Sequence, residues 1–215
     1  MKAWLIERFG TGWLETWKEI KEHPVPPHAL NPIYCLGGLT FLSFLIQAVT
    51  GIILALYYRP TPEEAYASIQ FIMEQVSFGA MIRSVHHYAA NIMVLLVMLH
   101  MLRVFYTGSF KKPRELNWVV GVLLYLLTLA FGFTGYLLPW DQVAYWASVV
   151  GTEIMGGVPV IGKYLMILAR GGLKVTEFTL TRFYVAHVII LPLLAILLMG
   201  LHFLMVRLQG ISEEL

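Results

Sequence analysis

Four long, predominantly apolar stretches set the pattern of this chain, at about 33–58, 84–107, 116–138 and 183–206. Each exceeds the ~20 residues that a helix needs to cross the hydrocarbon core of a bilayer, and each is bracketed by charges or helix breakers such as Arg59–Pro60, Arg83, Asp141, Arg182 and Arg207. The segments between them are of different character. Residues 3–20 place Trp4, Leu5, Phe9, Trp13 and Trp17 mainly on one side of a helix, with Lys2, Glu7, Arg8, Glu15 and Lys18 around the rest. That pattern predicts an N-terminal interfacial helix, or a helix packed on a partner, ended by the prolines of PVPPH. Residues 61–81 are mixed in polarity and predict a short surface helix or loop, and TGSFKKPREL a polar loop. From Asp141 to Arg182, glycines and prolines cut the apolar runs into pieces too short to span, which predicts short helices along one membrane face. The expected fold is an all-α integral membrane protein, a single membrane domain of four transmembrane helices.

Composition agrees. Of 215 residues, 58% are hydrophobic and 13% charged, which excludes an ordinary soluble domain. A net charge of +2, dispersed along the chain, gives no footprint for nucleic acid. One cysteine, Cys35, makes no internal disulfide and is a packed thiol or a chemical handle. The start lacks a long apolar core and a small-residue cleavage site, so no removable signal peptide is expected. Four spans put both termini on one side, together with Lys2, Arg8, Lys18, Lys21, Arg103, Lys111, Lys112, Arg114 and Arg207 against six basic residues opposite. The positive-inside rule then places the termini inside.

Within this apolar frame the histidines change the picture. His86 and His100 stand 14 positions apart in the second span, and His187 and His202 15 apart in the fourth. At 3.6 residues per turn each pair falls near one face, separated by roughly 21–22 Å of helix. Both spans run from outside to inside, so His86 meets His187 at the outer level and His100 meets His202 at the inner level. Two facing imidazoles fit the axial sites of a haem iron, and two levels predict two haems b. The two levels are too far apart for a dinuclear metal centre, and no carboxylate lies within the spans to join the ligands. Imidazoles bonding across helices would be the structural alternative.

Gly37 and Gly51 in span one and Gly121 and Gly135 in span three repeat the 14-residue spacing. Glycine at those depths admits a flat macrocycle close to the backbone, or simply close helix packing. Arg83 and Arg182 lie near the outer pair and Arg103 and Arg207 near the inner pair, either as partners for haem propionates or as flanking charge.

The motifs PPH, YCLGG, GSFKKPREL, GFTGYLLPWDQ, TLTRFY and RLQGIS, with the two histidine pairs, resemble the split-type cytochrome b family, cytochrome b6, over almost the whole chain. The resemblance implies that His86 and His187 ligate the iron of one haem b and His100 and His202 that of the other. It implies a third, c-type haem held by one thioether at Cys35 beside the inner haem b, and a quinol pocket at the outer face with Tyr136, Trp140 and Asp141 as wall residues. The family's function is electron transfer from quinol oxidised outside to quinone reduced inside, coupled to proton translocation. Its members work in dimeric, lipid-embedded complexes with a Rieske iron-sulfur protein and a cytochrome c- or f-type subunit, in a bacterial cell membrane or a thylakoid membrane. The longer cytochromes b carry a Pro-Glu-Trp-Tyr segment that this sequence lacks, so a subunit IV-like chain is expected to complete the quinol site, and this chain is not expected to act as an enzyme alone. Two other readings are a di-haem membrane anchor of a dehydrogenase and a non-redox transporter or scaffold using its histidines for protons.

Overall fold

A computed structural model describes residues 31 and 33–210, in which α1 is Leu36–Ala55, α2 Ala65–Glu74, α3 Gly79–Tyr106, α4 Glu115–Leu137, α5 Gln142–Gly156, α6 Gly162–Arg170 and α7 Glu177–Val185. A π-helical turn, Ala186–Ile190, then joins α7 to α8, Leu191–Gln209. The described residues contain no strand. The predicted interfacial helix at 3–20 lies outside the described residues.

Among the described residues, four helical stretches are long and apolar enough to cross a membrane: α1, α3, α4 and the continuous run Glu177–Gln209. Only 6–11% of the residues in their most apolar stretches are buried within the chain, so their apolar surface requires lipid or other subunits. The boundaries differ from the sequence reading where local chemistry is stronger than hydropathy. The first span stops at Ala55, ahead of Arg59 and Pro60, and the second begins at Gly79, taking Arg83 into the helix. The fourth begins at Glu177, where Thr179 Oγ1 accepts from the Thr176 backbone N–H at 3.0 Å and turns the chain into α7. The region after Asp141 forms the expected short helices. α5 starts where Asp141 accepts a bond from Ala144 N at 2.8 Å, and α6 stops at Gly171, whose φ of 79° suits glycine.

The chain divides into two compact units, and each spanning stretch contributes residues to both. The first comprises Met1–Phe44, Ile92–Thr128 and Leu194–Leu215; the second comprises Leu45–Asn91 and Leu129–Leu193. The first unit packs around Met93, Val97, Val120, Ala195 and Met205, all buried. It is tied by Arg114, which donates to the Gln209 carbonyl at 3.3 Å, while Gln209 Nε2 donates to the Pro113 carbonyl at 3.3 Å.

The second unit has a denser centre, in which Leu137, Ser148, Thr152, Thr179 and Leu180 are fully buried. Arg170, only 4% exposed, holds its short helices together. Its guanidinium donates to Thr152 Oγ1 at 2.7 Å, to the carbonyls of Val149 and Leu173 at 3.0 Å each, and to Glu153 Oε1 at 2.9 Å. A buried guanidinium is tolerable because so many of its donors are matched. Tyr58 closes the same unit by donating to the Leu138 carbonyl at 2.6 Å.

Candidate haem sites

In the second unit, His86 on α3 and His187 in the π turn face one another with ring centres 6.4 Å apart. A metal–imidazole nitrogen bond is about 2.0–2.1 Å on each side, and with the ring radii added a bridging metal atom requires roughly 6 Å between ring centres. The pair therefore has the spacing of two axial ligands. The π turn widens the helix by one residue just ahead of Pro192, whose missing N–H and bulky ring disturb an α-helix there. Hydropathy gives no sign of that turn.

Each ring is oriented through Nδ1. His86 Nδ1 lies 2.8 Å from Thr50 Oγ1, and His187 Nδ1 lies 3.0 Å from Thr134 Oγ1. Both hydroxyls already donate back along their own helices, Thr50 to the Ile46 carbonyl at 2.6 Å and Thr134 to the Ala130 carbonyl at 2.8 Å. A hydroxyl has one proton, so each imidazole is the donor, Nδ1 carries the hydrogen, and Nε2 presents its lone pair. Gln47 adds a bond of 2.7 Å from its Nε2 to the His86 carbonyl. The sequence reading missed Gln47, Thr50 and Thr134. The signal available was position, since Thr50 and Thr134 immediately precede Gly51 and Gly135.

In the first unit, His100 and His202 are close enough to interact electrostatically, but their Nδ1 atoms are buried without a hydrogen-bond partner among the described residues. The Asn117 backbone lies toward His202 and the Phe131 backbone toward His187, each four residues before the glycine that faces the same ring. The facing is one to one in both units. A Cβ added at Gly37 would meet His100 Cε1 at 3.0 Å, at Gly51 His86 Cε1 at 3.1 Å, at Gly121 His202 Cε1 at 3.7 Å and at Gly135 His187 Cε1 at 2.7 Å. Each of the four glycines thus stands beside one of the four histidines. Glycine lets each ring lie close against the neighbouring backbone, where at Gly37, Gly51 and Gly135 a side chain would press on it.

The arginines divide. Arg103 lies over the Tyr34 ring at 4.9 Å, donates to the Tyr34 carbonyl at 3.3 Å, and keeps a buried Nε without a partner. It also borders a groove of about 500 Å³ lined by Leu36, Leu39, Leu99 and Leu102. Cys35 follows Tyr34 directly, two residues before Gly37, and is half-buried. Arg182 is engaged by the Leu168 carbonyl at 3.0 Å, and Arg83 reaches the Met73 sulfur at 3.7 Å. Arg207 is half-buried in the last turn of α8. Of the predicted quinol-pocket residues, Tyr136 is exposed on α4, Trp140 stands edge-on to Tyr145 with ring centres 5.8 Å apart, and the Asp141 carboxylate caps α5. Asp141 therefore has a local structural task.

No group of three or more histidine, cysteine, aspartate or glutamate side chains is gathered for a metal among the described residues. The donor sets are bis-imidazole pairs, which suit a metal whose remaining positions come from a macrocycle. The sequence pattern of the family described as cytochrome b/b6/petB matches residues 20–210. The chain belongs to the cytochrome b/b6 family. It is 60% identical to the cytochrome b6 of Heliobacterium mobile over 213 residues, covering 99% of each chain. It is 53% identical to the cytochrome b6 of Porphyra purpurea over 197 residues, covering 92% of this chain and 91% of that one. Among solved structures it is similar to a chain of a hyperthermophilic respiratory complex III, with a TM-score of 0.83 and 36% identity. That match covers 99% of this chain and 56% of the other, so this chain spans little more than half of it. Membership implies an integral membrane protein that binds haem b, and the His86 and His187 rings, 6.4 Å apart with Nδ1 of each engaged by a threonine, fit that group.

Proposed function

We propose that this chain is the di-haem b electron-transfer subunit of a quinol oxidoreductase of the quinol:cytochrome c or plastocyanin type. It moves electrons across the membrane between outer quinol oxidation and inner quinone reduction, coupled to proton translocation. His86 and His187 would hold one haem iron, the outer, and His100 and His202 the other, the inner. The observation that carries this reading is the one-to-one facing of four glycines and four imidazoles, with the His86 and His187 rings 6.4 Å apart. Haem, when bound, would supply one-electron redox chemistry.

The chain's own residues do the rest. Thr50 and Thr134 hold the proton of their histidine on Nδ1 and leave Nε2 as the ligand nitrogen, and the glycines let each ring lie close to the neighbouring backbone. Arg103, with an unmatched buried Nε, is the best-supported partner for a propionate in the first unit. Cys35 supports a covalent c-type haem there, because the chain places it next to the residue that Arg103 covers. Tyr136, Trp140 and Asp141 would line the outer quinol pocket. A subunit IV-like chain, a Rieske iron-sulfur protein and a cytochrome c- or f-type subunit would complete a dimeric complex, with this chain's termini on the cytoplasmic or stromal side.

A reduced-minus-oxidised spectrum of the purified protein tests the reading. Two b-type components are expected, and no b-type band would overturn it. A haem-stained denaturing gel tests Cys35: covalent signal in the native chain should vanish in Cys35→Ala.

A further inference from the structure

The two imidazole pairs are alike in ligand and in glycine, but the residue preceding each glycine differs. It is Thr50 and Thr134 in the second unit, and Leu36 and Val120 in the first. Thr50 and Thr134 are 9% and 7% exposed, and each places its Oγ1 against an imidazole Nδ1, at 2.8 and 3.0 Å. Val120 is equally buried at 8% and has no hydroxyl to offer, and the Nδ1 atoms of His100 and His202 find no hydrogen-bond partner among the described residues.

From this difference we infer that Thr50 and Thr134 are positioning residues that lower the reduction potential of the iron held by His86 and His187. Because each hydroxyl proton is committed to a helix carbonyl, each oxygen accepts from Nδ1–H and leaves electron density on the imidazole. A ligand whose second nitrogen donates to an acceptor is held in one tautomer and is more basic, and a more basic axial ligand favours the more highly charged, oxidised metal. Histidines without that acceptor are weaker donors and favour the reduced metal. Phe131 and Asn117 present backbone to His187 and His202 alike, so the hydroxyl is what differs between those two rings. The inference rests on the haem-ligand reading given under Proposed function.

The test is a spectroscopic redox titration of the two b-type components in the intact complex. The variants are Thr50→Val, Thr134→Val, Thr134→Ser and the reciprocal Val120→Thr. Threonine and valine have nearly the same shape, so the swap changes the hydrogen bond with little change of volume. Thr50→Val and Thr134→Val should each raise the midpoint of one and the same component, and the double variant should shift its reduction equilibrium about tenfold, or about 59 mV for one electron. Thr134→Ser, which keeps the hydroxyl, should restore the native value. Val120→Thr should lower the midpoint of the other component.

Unchanged midpoints in both valine variants, with two b-type components still present, overturn the inference and leave the haem reading standing. A shift of the same component by Val120→Thr also overturns the inference. If the native complex shows no b-type component, the haem reading fails first. Should a valine variant fail to assemble, Val120→Thr and Thr134→Ser still decide the case, because only a hydroxyl effect moves one midpoint and spares the other.

Discussion

His86 and His187 each donate a hydrogen bond from Nδ1 to a threonine hydroxyl, while His100 and His202 keep the same nitrogen buried and, among the described residues, unmatched. The contrast extends beyond the imidazoles. In the second unit the buried guanidinium of Arg170 is matched by Thr152, Glu153 and two backbone carbonyls. In the first unit, Arg103 Nε, Arg114 Nε and Asn117 Oδ1 are buried with no partner. An unmatched buried polar group costs on the order of 1–3 kcal/mol, so a fold retains several only where something else satisfies them. Among the described residues, the second unit thus satisfies its buried polar side chains from within, and the first leaves several without a partner. Two imidazole pairs of the same kind are therefore set in two environments by their neighbours.

The largest effect that can break this comparison is loss of a ligand. His187→Ala should halve the b-type haem per chain and remove a single component from the difference spectrum, measured by pyridine haemochrome assay. Loss of both components would show that the units do not load independently.

Arg170→Ala should destabilise the second unit by about 2–3 kcal/mol, because several buried acceptors lose a charged donor at once. Glu153→Gln should cost no more than about 1 kcal/mol, since that side chain is 62% exposed. Thermal unfolding of the two variants, with hydrogen exchange over α5 and α6, separates them. Equal effects would mean that the ion pair, not the burial, holds the short helices.

Next come the glycines. Gly135→Ala puts a methyl 2.7 Å from the His187 ring, which must move, and an overpacked site of this kind costs about 1–3 kcal/mol. Gly121→Ala meets His202 only at 3.7 Å, an ordinary contact, and should have the smaller effect on haem retention under heating. The reverse order would place the tighter cradle in the first unit.

Tyr58→Phe should give the smallest change, about 1 kcal/mol, by leaving the Leu138 carbonyl without its donor. Faster hydrogen exchange confined to residues 138–145 would show that the bond positions the turn before α5. Uniform change along the chain would reject that role.

Much of the fold was legible because a bilayer imposes a simple code. Uncharged stretches of this length have one common use in a chain this apolar, so the four spans were found, although their ends moved by several residues where capping and proline decide them. The paired histidines were legible because polarity within a span is costly and needs a reason. The glycine register was legible because it repeats the histidine spacing. Asp141 was only half legible, since a carboxylate at a helix start has a capping task that spacing alone does not separate from a place in a pocket wall.

The sequence by itself determined which residues lie in spans, that four imidazoles fall in two pairs, and that four glycines keep step with them, because periodicity along a helix is a property of the chain alone. Only the tertiary structure decided which glycine faces which ring and that threonines hold two of the four histidines. It also decided that a π turn carries His187, and that Arg170 is buried among the short helices. Those facts depend on where side chains from distant parts of the chain meet, and a hydrogen bond between Thr134 and His187, 53 residues apart, leaves no mark on the local pattern of either helix.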